Sequence, residues 1–202
     1  MRPGWPASLR EGPVGLRPIT RRDERAWGEV RRLNARWLAP WEATAPQPVS
    51  PSEVSFKAMV RHLLREARDG RMLPFVVTYE GRLAGQLTIG GVTWGSLCSA
   101  HIGYWVDSRI AGRGVMPTAV ALATDHAFGK VGLHRVEVNI RPENSASLRV
   151  VEKLGFRDEG MRKGLLHIDG AWRDHRSFAL TAEEVPEGVL ARWRAQQLGW
   201  RS

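Results

Sequence analysis

The chain has 202 residues, 9 of them tryptophan, and a formal net charge of +9. A single cysteine, Cys98, excludes an internal disulfide and a thiolate metal cluster, and no apolar run is long enough to span a bilayer. The length predicts one domain with a substantial hydrophobic core. The basic charge has two interpretations that composition leaves open, an attractive field for anions or an arginine-rich proteome.

The first part of the chain is predicted to be extended and then helical. Residues 1–14 read as an extended lead-in that lacks the apolar core of a signal peptide, so a cytoplasmic location is expected. Residues 15–20 are predicted to form an edge strand, because the proline within them cannot donate to a ladder. Thr20 is then expected to cap one helix over residues 21–38, which stops before Pro40.

A proline-rich loop separates this helix from the next. It carries Trp41 and Glu42, a pair that fits either a recognition element or a lid on the core. Residues 50–53 (Ser-Pro-Ser-Glu) combine an N-cap, a first-turn proline and an acid three residues after the cap. They predict a second helix that starts at Ser50 and runs to about residue 70.

Strand patterns then alternate with helical ones. Residues 73–79 and 82–89 predict a hairpin, and residues 99–107 a third strand. A helix over 115–128 follows, and then a strand over 134–140 whose polar face carries Arg135, Glu137 and Asn139.

The last part of the chain is predicted to hold one helix and one hairpin. Asn144 or Ser145 caps a helix that runs through residues 146–154. Residues 165–168 and 172–180 form the last pair of strands. Residues 183–202 are expected to form a C-terminal helical tail outside the main domain, which spans residues 15–182.

The turn between the third strand and the following helix is predicted to bind an anion. It carries Arg109, Gly112, Arg113 and Gly114. Glycines let the main chain approach a bulky ligand, and the free N–H groups at a helix start attract negative charge. A dinucleotide fingerprint requires a third glycine where Pro117 stands, and a phosphate-binding P-loop requires Gly-Lys-Ser/Thr, which is absent.

The order of motifs resembles that of the GNAT acyltransferases. Arg-x-x-Gly-x-Gly at 109–114 is followed by Asn-x-x-Ser at 144–147 and by Glu-Lys-Leu-Gly-Phe at 152–156. Residues 40–42 and 168–175 resemble the RimJ/RimL branch, which acetylates N-terminal amines of ribosomal proteins, and its RimJ-like, alanine-specific members in particular.

The resemblance covers residues 15–182 and implies an α/β (α+β) fold. A mixed, mostly antiparallel sheet of six to seven strands would be splayed between strands 4 and 5 and flanked by helices. Acetyl-CoA is the implied cofactor, with its pyrophosphate on the glycine turn and its pantetheine arm in the splay; no metal is predicted. The implied cofactor-binding residues are Tyr104, Trp105, Val106, Arg109, Ile110, Ala111, Gly112, Arg113, Gly114, Val115, Met116, Asn139, Asn144 and Ser147.

The resemblance also implies a proton donor for the departing thiolate. Some GNAT enzymes use a tyrosine, but none follows Tyr104 here, which favours Ser147. A hydroxyl that serves only the helix surface is the alternative for Ser147. An oxyanion donor is expected among the backbone N–H groups of residues 103–106.

The sequence does not identify the general base. Glu137 and Glu42 are the first candidates, and His101, His167 and Asp174 are further ones. A structural ion pair competes with the base role for Glu137. A desolvated site that favours a neutral amine would need no base.

The acceptor is expected to be the N-terminus of a protein, possibly a ribosomal one. Trp41, Glu42 and Trp172 are predicted to contact it, with Trp94 and Trp105 as further aromatic candidates. Nucleic acid would be met only through a ribosomal substrate, no membrane partner is expected, and the protein would be a monomer or homodimer. The alternatives are a small amine, another donor such as succinyl-CoA, or a non-catalytic module that binds RNA or the ribosome. The charge of +9 argues against polycationic aminoglycosides.

Overall fold

The computed structural model describes residues 4–46 and 55–199, which contain eight strands and six α-helices. The strands are β1 (Leu9–Glu11), β2 (Val14–Pro18), β3 (Leu73–Tyr79), β4 (Arg82–Thr93), β5 (Ser99–Val106), β6 (Arg135–Ile140), β7 (Arg157–Ile168) and β8 (Ala171–Thr181). The helices are α1 (Glu24–Leu33), α2 (Ala35–Leu38), α3 (Phe56–Arg68), α4 (Val115–His126), α5 (Ser145–Leu154) and α6 (Val189–Gly199).

The strands form one sheet in the order β1-β2-β3-β4-β5-β6-β8-β7. Every neighbouring pair is antiparallel except β5 and β6. The parallel ladder joins Ser99–His101 only to Arg135–Glu137, and beyond these residues the two strands separate. The predicted fold class and the splay are therefore confirmed.

The described sheet has eight strands, whereas six to seven were expected. One strand, β1, and the first part of β7 were not predicted from the sequence pattern. Residues 9–11, expected in an extended lead-in, pair with β2 as β1. β7 spans twelve residues, whereas only its last four were predicted as strand. Nearly all of β7 is exposed, so it has no apolar alternation, and its pairing with β8 is interrupted by two register shifts. A strand of this kind gives no periodic signal.

The helix predicted over residues 21–38 is broken in the structure. A 3₁₀ turn, Arg21–Asp23, precedes α1, and α1 and α2 are separated at Asn34, whose φ is −106° and ψ 12°. The Thr20 cap is confirmed, since the N–H of Thr20 donates to the Asp23 carboxylate over 2.7 Å. A single continuous helix was wrong because Asn34 uses its side chain for tertiary hydrogen bonds.

The second predicted helix is present as α3, and its described part begins at Phe56. Ser55 is its N-cap, and the Ser55 hydroxyl accepts the N–H of Ala58 over 3.2 Å. The predicted start at Ser50, with residues 51–53, lies outside the described residues. The helix ends at Arg68, close to the predicted end, before Gly70 adopts a φ of +73°.

The sheet separates two apolar layers. Phe75 and Val77 of β3 face a large core that contains most of α4, whereas Val76 faces a smaller cluster with Val60 of α3. Alternate strand residues point to opposite faces, so α4 and α3 lie on opposite sides of the sheet. Among the described helices none combines the length and the low polarity that a membrane crossing requires.

The C-terminal segment packs against the domain. Val189 of α6 is fully buried and Trp193 nearly so, and both belong to the large core. Asp125 of α4 accepts the N–H groups of Val189 and Leu190 over 2.6 and 3.1 Å. The predicted helical tail is therefore a helix that lies along α4, the helix that follows the glycine turn.

Candidate active site

The glycine turn between β5 and α4 is built by local hydrogen bonds. Asp107 caps a short 3₁₀ turn, and its carboxylate accepts the N–H of Arg109 over 3.1 Å. Gly112 and Gly114 have φ values of +82° and +78°, which disfavour any residue with a Cβ atom. The turn thus requires glycine at the two positions that the motif supplies.

Four backbone N–H groups are available at this turn. Within the part of the chain that the structure describes, those of Gly112, Gly114, Val115 and Met116 have no protein acceptor. They lie at the N-terminus of α4, where the helix dipole adds positive potential. This donor set suits a diphosphate.

The guanidinium groups of Arg109 and Arg113 were expected to add positive charge to the anion site, and the structure arranges them differently. The guanidinium of Arg109 turns back onto the Asp107 carboxylate, with contacts of 2.5 to 3.0 Å. Neither Arg109 nor Arg113 lines the cavity beside the turn. The hydrogen bond from Arg109 holds the pKa of Asp107 below its ordinary value, although burial opposes it. In this structure Arg109 therefore shapes the turn through its contacts with Asp107.

Asn34 is a structural residue of the site that the sequence analysis missed. It is 1% exposed, and its side-chain amide donates to Asp107 over 3.1 Å while its carbonyl accepts the N–H of Ser108 over 2.9 Å. The helix break at Asn34 and the start of the glycine turn are thus joined. A buried asparagine on an apolar helix stripe was the signal available in the sequence.

A cavity of about 620 Å³, here named the turn cavity, opens beside the free N–H groups. Three basic side chains line it, Arg36, Arg149 and Lys153, none of which the sequence analysis selected. Its other lining residues are Trp37, Leu38, Pro40, Trp41, Tyr104, Trp105, Val106, Ile110, Ala111, Gly112, Gly114, Val115, Met116, Pro117, Glu143, Asn144, Ser145, Ala146, Ser147 and Val150. Cationic and apolar walls together fit a nucleotide-bearing thioester such as acetyl-CoA.

A second cavity of about 440 Å³, here named the sheet cavity, lies between β5, β6 and the β7–β8 hairpin. Its walls are mostly aliphatic and aromatic. The lining residues are Trp41, Ala43, His101, Ile102, Gly103, Tyr104, Val138, Asn139, Ile140, Arg141, Asn144, Ser147, Arg162, Leu165, Leu166, Ile168 and His175. No carboxylate is among the described residues that line it.

The two cavities meet at the splay of β5 and β6. Trp41, Tyr104, Asn144 and Ser147 line both of them. Asn144 caps α5 by accepting the N–H of Ser147 over 3.1 Å, which confirms the predicted cap. Within the described chain the Ser147 hydroxyl has no protein partner. It therefore faces the junction with both lone pairs and its proton available.

Tyr104 places a second hydroxyl at this junction. Its phenol donates to the carbonyl oxygen of Ser147 over 3.4 Å. Burial raises the pKa of Tyr104 well above its ordinary value, so the phenol stays protonated. Two uncharged hydroxyls are thus close to the point where the cavities join.

The acids selected from the sequence as bases are engaged in ion pairs. The two oxygens of Glu137 accept from Arg135 over 2.9 Å and from Arg162 over 2.8 Å. Glu42 is paired with Arg31. Neither acid is among the described lining residues of either cavity. Glu137 therefore has the geometry of a structural ion pair, which was the alternative to a role as general base.

Three other selected residues do not line the turn cavity. Asp174 is bound to Lys163 over 2.8 Å. Trp172 is 60% exposed and contacts His167 edge-on. Asn139, selected for the cofactor, lines the sheet cavity and accepts the Ser177 hydroxyl over 2.7 Å. The turn cavity thus does not use Asn139.

The loop that carries Trp41 crosses the site. Arg141 donates to the carbonyl oxygen of Pro40 over 2.7 Å, and its guanidinium lies 5.5 Å from the Trp41 ring centroid. The N–H of Thr44 donates to the carbonyl oxygen of His167 over 2.8 Å. The loop therefore connects α2 with the β7–β8 hairpin and holds Trp41 against both cavities. Trp105 lines the turn cavity, and Trp94 is not among the described lining residues.

Comparisons with known proteins agree with this geometry. Residues 14–157 match the family model of the acetyltransferase (GNAT) domain. The structure of Mycobacterium smegmatis RimJ in complex with CoA-disulfide has a TM-score of 0.91 and 45% identity, and 98% of each chain is covered.

Two curated relatives are N-acetyltransferases by name. The ribosomal protein uS5-alanine N-acetyltransferase of Escherichia coli is 33% identical over 82% of this chain and 87% of its own length. The probable N-acetyltransferase YjcK of Bacillus subtilis is 40% identical over 101 residues, which are 50% of this chain and 56% of that protein. The chain belongs to the GNAT acetyltransferase family, in its RimJ/RimL branch, and is an N-acetyltransferase that uses acetyl-CoA.

Proposed function

We propose that the acceptor is the N-terminal α-amine of a protein and that a ribosomal protein is the natural substrate. The observation that carries this proposal is the chemistry of the sheet cavity. Its described lining combines aliphatic and aromatic side chains with uncharged polar groups, histidines and two arginines, Arg141 and Arg162, but it contains no carboxylate. A polyamine or aminoglycoside would bring several positive charges into this cavity without a partner. An uncharged peptide N-terminus suits it better.

The relatives support a protein acceptor. The Escherichia coli relative is by name an alanine N-acetyltransferase of ribosomal protein uS5, and its similarity covers 82% of this chain. A ribosomal substrate implies a cytoplasmic enzyme that meets nucleic acid only through the ribosome.

The junction of the two cavities favours direct transfer. When the thioester lies in the turn cavity and the amine in the sheet cavity, both reach Ser147 without a covalent enzyme intermediate. The Ser147 hydroxyl would protonate the departing thiolate. Backbone N–H groups of residues 103–106 that face away from β4 would stabilise the developing oxyanion, because β6 no longer pairs there.

An α-amine is also the easier amine to activate. Its pKa is about 8, compared with about 10.4 for a lysine side chain, so a useful fraction is neutral at pH 7. The apolar part of the sheet cavity and its two arginines, Arg141 and Arg162, disfavour the charged ammonium form further.

The proposal is tested by measuring thiol release from acetyl-CoA with a panel of amines. The panel holds peptides that begin with alanine, serine or methionine, an Nα-blocked peptide with an internal lysine, spermidine and an aminoglycoside. We expect turnover with the alanine and serine peptides and a mass increase of one acetyl group on the α-amine. The Nα-blocked peptide is the matched control and should be inactive.

Other outcomes identify the alternatives. Turnover with spermidine or the aminoglycoside alone would contradict a protein acceptor. Faster transfer from succinyl-CoA than from acetyl-CoA would change the donor. Binding to ribosomes without turnover of any amine would indicate a non-catalytic module.

A further inference from the structure

The proposed reaction assigns no role to His175, which is a buried titratable residue. It lies on β8, is 2% exposed, and lines the sheet cavity together with Tyr104 and Ser147. In the sheet register its neighbour Arg176 pairs with Ile140, the last residue of β6. His175 is therefore placed beside the turn that leads into Asn144 and α5.

The tautomer of His175 is fixed by its own strand. Its Nδ1 atom lies 3.0 Å from the carbonyl oxygen of Arg173, and a carbonyl oxygen only accepts. Nδ1 must therefore carry the hydrogen, which leaves the lone pair of the neutral ring on Nε2.

Nε2 of His175 is not fully enclosed by the protein. Nothing in the described part of the chain forms a hydrogen bond with Nε2. The described residues also contain no side-chain nitrogen or oxygen that is both fully enclosed and unpartnered. Nε2 therefore keeps some accessible surface, and the sheet cavity is the described cavity that His175 lines.

The surroundings of His175 favour the neutral ring at pH 7. Burial lowers the pKa of His175, and the positive charge of Arg141 lowers it further. The carbonyl of Arg173 and the carboxylates of Glu143 and Asp174 act in the opposite direction and are outweighed. On the neighbouring strand β7, Arg162 pairs with His175 in the register and is itself bound to Glu137.

The remaining candidate bases are less well placed. Glu137, Glu42 and Asp174 are bound to guanidinium or ammonium groups. His101 lines the same cavity, but it lies at the last paired position of β5, three residues before Tyr104. His175 lies at the other end of the cavity, next to the turn that carries Asn144.

We propose that Nε2 of His175 is the general base that takes the proton of the acceptor amine. This inference rests on the proposed transfer to an amine in the sheet cavity. The amine nitrogen forms its bond to the thioester carbonyl carbon, the carbon–sulphur bond breaks, and its electron pair stays on sulphur. One amine proton moves to Nε2 of His175, the sulphur takes a proton from Ser147, and solvent restores both side chains.

The test compares His175→Asn with wild type and with His62→Asn, a surface control on α3. Asparagine retains a donor for the Arg173 carbonyl but has no basic nitrogen. We expect kcat/KM for an alanine-starting peptide to fall by about 10²- to 10³-fold at pH 7. The KM for acetyl-CoA and the thermal midpoint should stay unchanged. His175→Gln serves the same comparison if the asparagine variant is less stable.

The pH profile separates a base from a merely structural residue. For wild type, log kcat/KM should rise with a slope of about 2 at low pH, because both the histidine and the amine must lose a proton, and with a slope of about 1 above the histidine pKa. For His175→Asn the slope should be about 1 throughout. An unchanged rate or a retained slope of 2 would overturn the proposal for His175.

The two proposals fail in different ways. If wild type acetylates only a small amine, the protein acceptor is wrong, and the same comparison with that amine still decides the role of His175. If wild type acetylates peptides and His175→Asn does so equally well, only the role of His175 is wrong. Absence of turnover with any amine would overturn both.

Discussion

In the proposed reaction, single side chains at the junction of the cavities protonate the departing thiolate. Ser147 is held by the Asn144 cap, and its hydroxyl has no protein partner among the described residues. Tyr104 donates its phenol proton to the Ser147 carbonyl. The geometry thus favours the serine as proton donor and gives the tyrosine a supporting role.

We predict that Ser147→Ala lowers kcat by about 100-fold, at the lower end of general acid effects, and changes the KM for acetyl-CoA by less than about threefold. Steady-state kinetics with varied acetyl-CoA and a saturating peptide would measure both constants. A raised KM with an unchanged kcat would mean that Ser147 only binds the cofactor. A larger loss of kcat in Tyr104→Phe would identify the phenol as the donor.

At the scale of elements, α6 supports α4, the helix whose first turn presents the free N–H groups. The indole N–H of Trp193 donates to the Thr118 hydroxyl over 2.9 Å. A Cβ atom at Gly114 would lie 3.5 Å from the same indole ring. The first turn of α4, which presents the free N–H groups, is therefore packed directly against α6.

We predict that Asp125→Ala destabilises the protein by about 0.5–2 kcal/mol, the usual effect of removing an N-cap. The Asp125 carboxylate accepts the first N–H groups of α6, so its loss loosens α6 from α4. Urea unfolding would measure the change. Asp125→Asn, which keeps an acceptor oxygen, should lose less, and equal losses in both variants would contradict a capping role.

At the scale of the whole molecule, the buried carboxylates bind the N-terminal strands and the helices together. Asp23 accepts two bonds from Arg17, of 3.0 and 2.6 Å, and two from Thr20, of 2.7 and 2.9 Å. Burial alone would raise the pKa of Asp23, but these hydrogen bonds outweigh it and hold the pKa below its ordinary value. Asp107 has a lowered pKa for a similar reason.

We predict that the free energy of unfolding falls as the pH is lowered below about 4, the ordinary range of an aspartate pKa. A carboxyl whose folded pKa is lowered stabilises the protein fully above its unfolded pKa and loses this contribution as pH falls through the folded value. Urea unfolding at pH 7, 5 and 3.5 would measure the loss. Asp23→Asn should be less stable at pH 7 and show a smaller decrease in acid, and an unchanged pH dependence would contradict the role of Asp23.

Much of the fold could be predicted because its signals are local. The Thr20 and Asn144 caps, the hairpin turn at residues 80–81 and the glycine turn at 112–114 depend on hydrogen bonds or φ values within a few residues. The splay, the cofactor and the family followed from the order of such motifs. The break at Asn34 was missed because its partners are more than 70 residues away.

The sequence by itself determined the glycine turn, the Asn144 cap and the succession of elements around them, since backbone conformation and capping are short-range. Only the tertiary structure decided where the charges lie. It joined Asn34 to Asp107 and Ser108, bound Glu137 to Arg162 of β7, and placed His175 in the wall of the sheet cavity. Side-chain partners are chosen by contacts between distant segments, and a pattern along the chain does not contain that information.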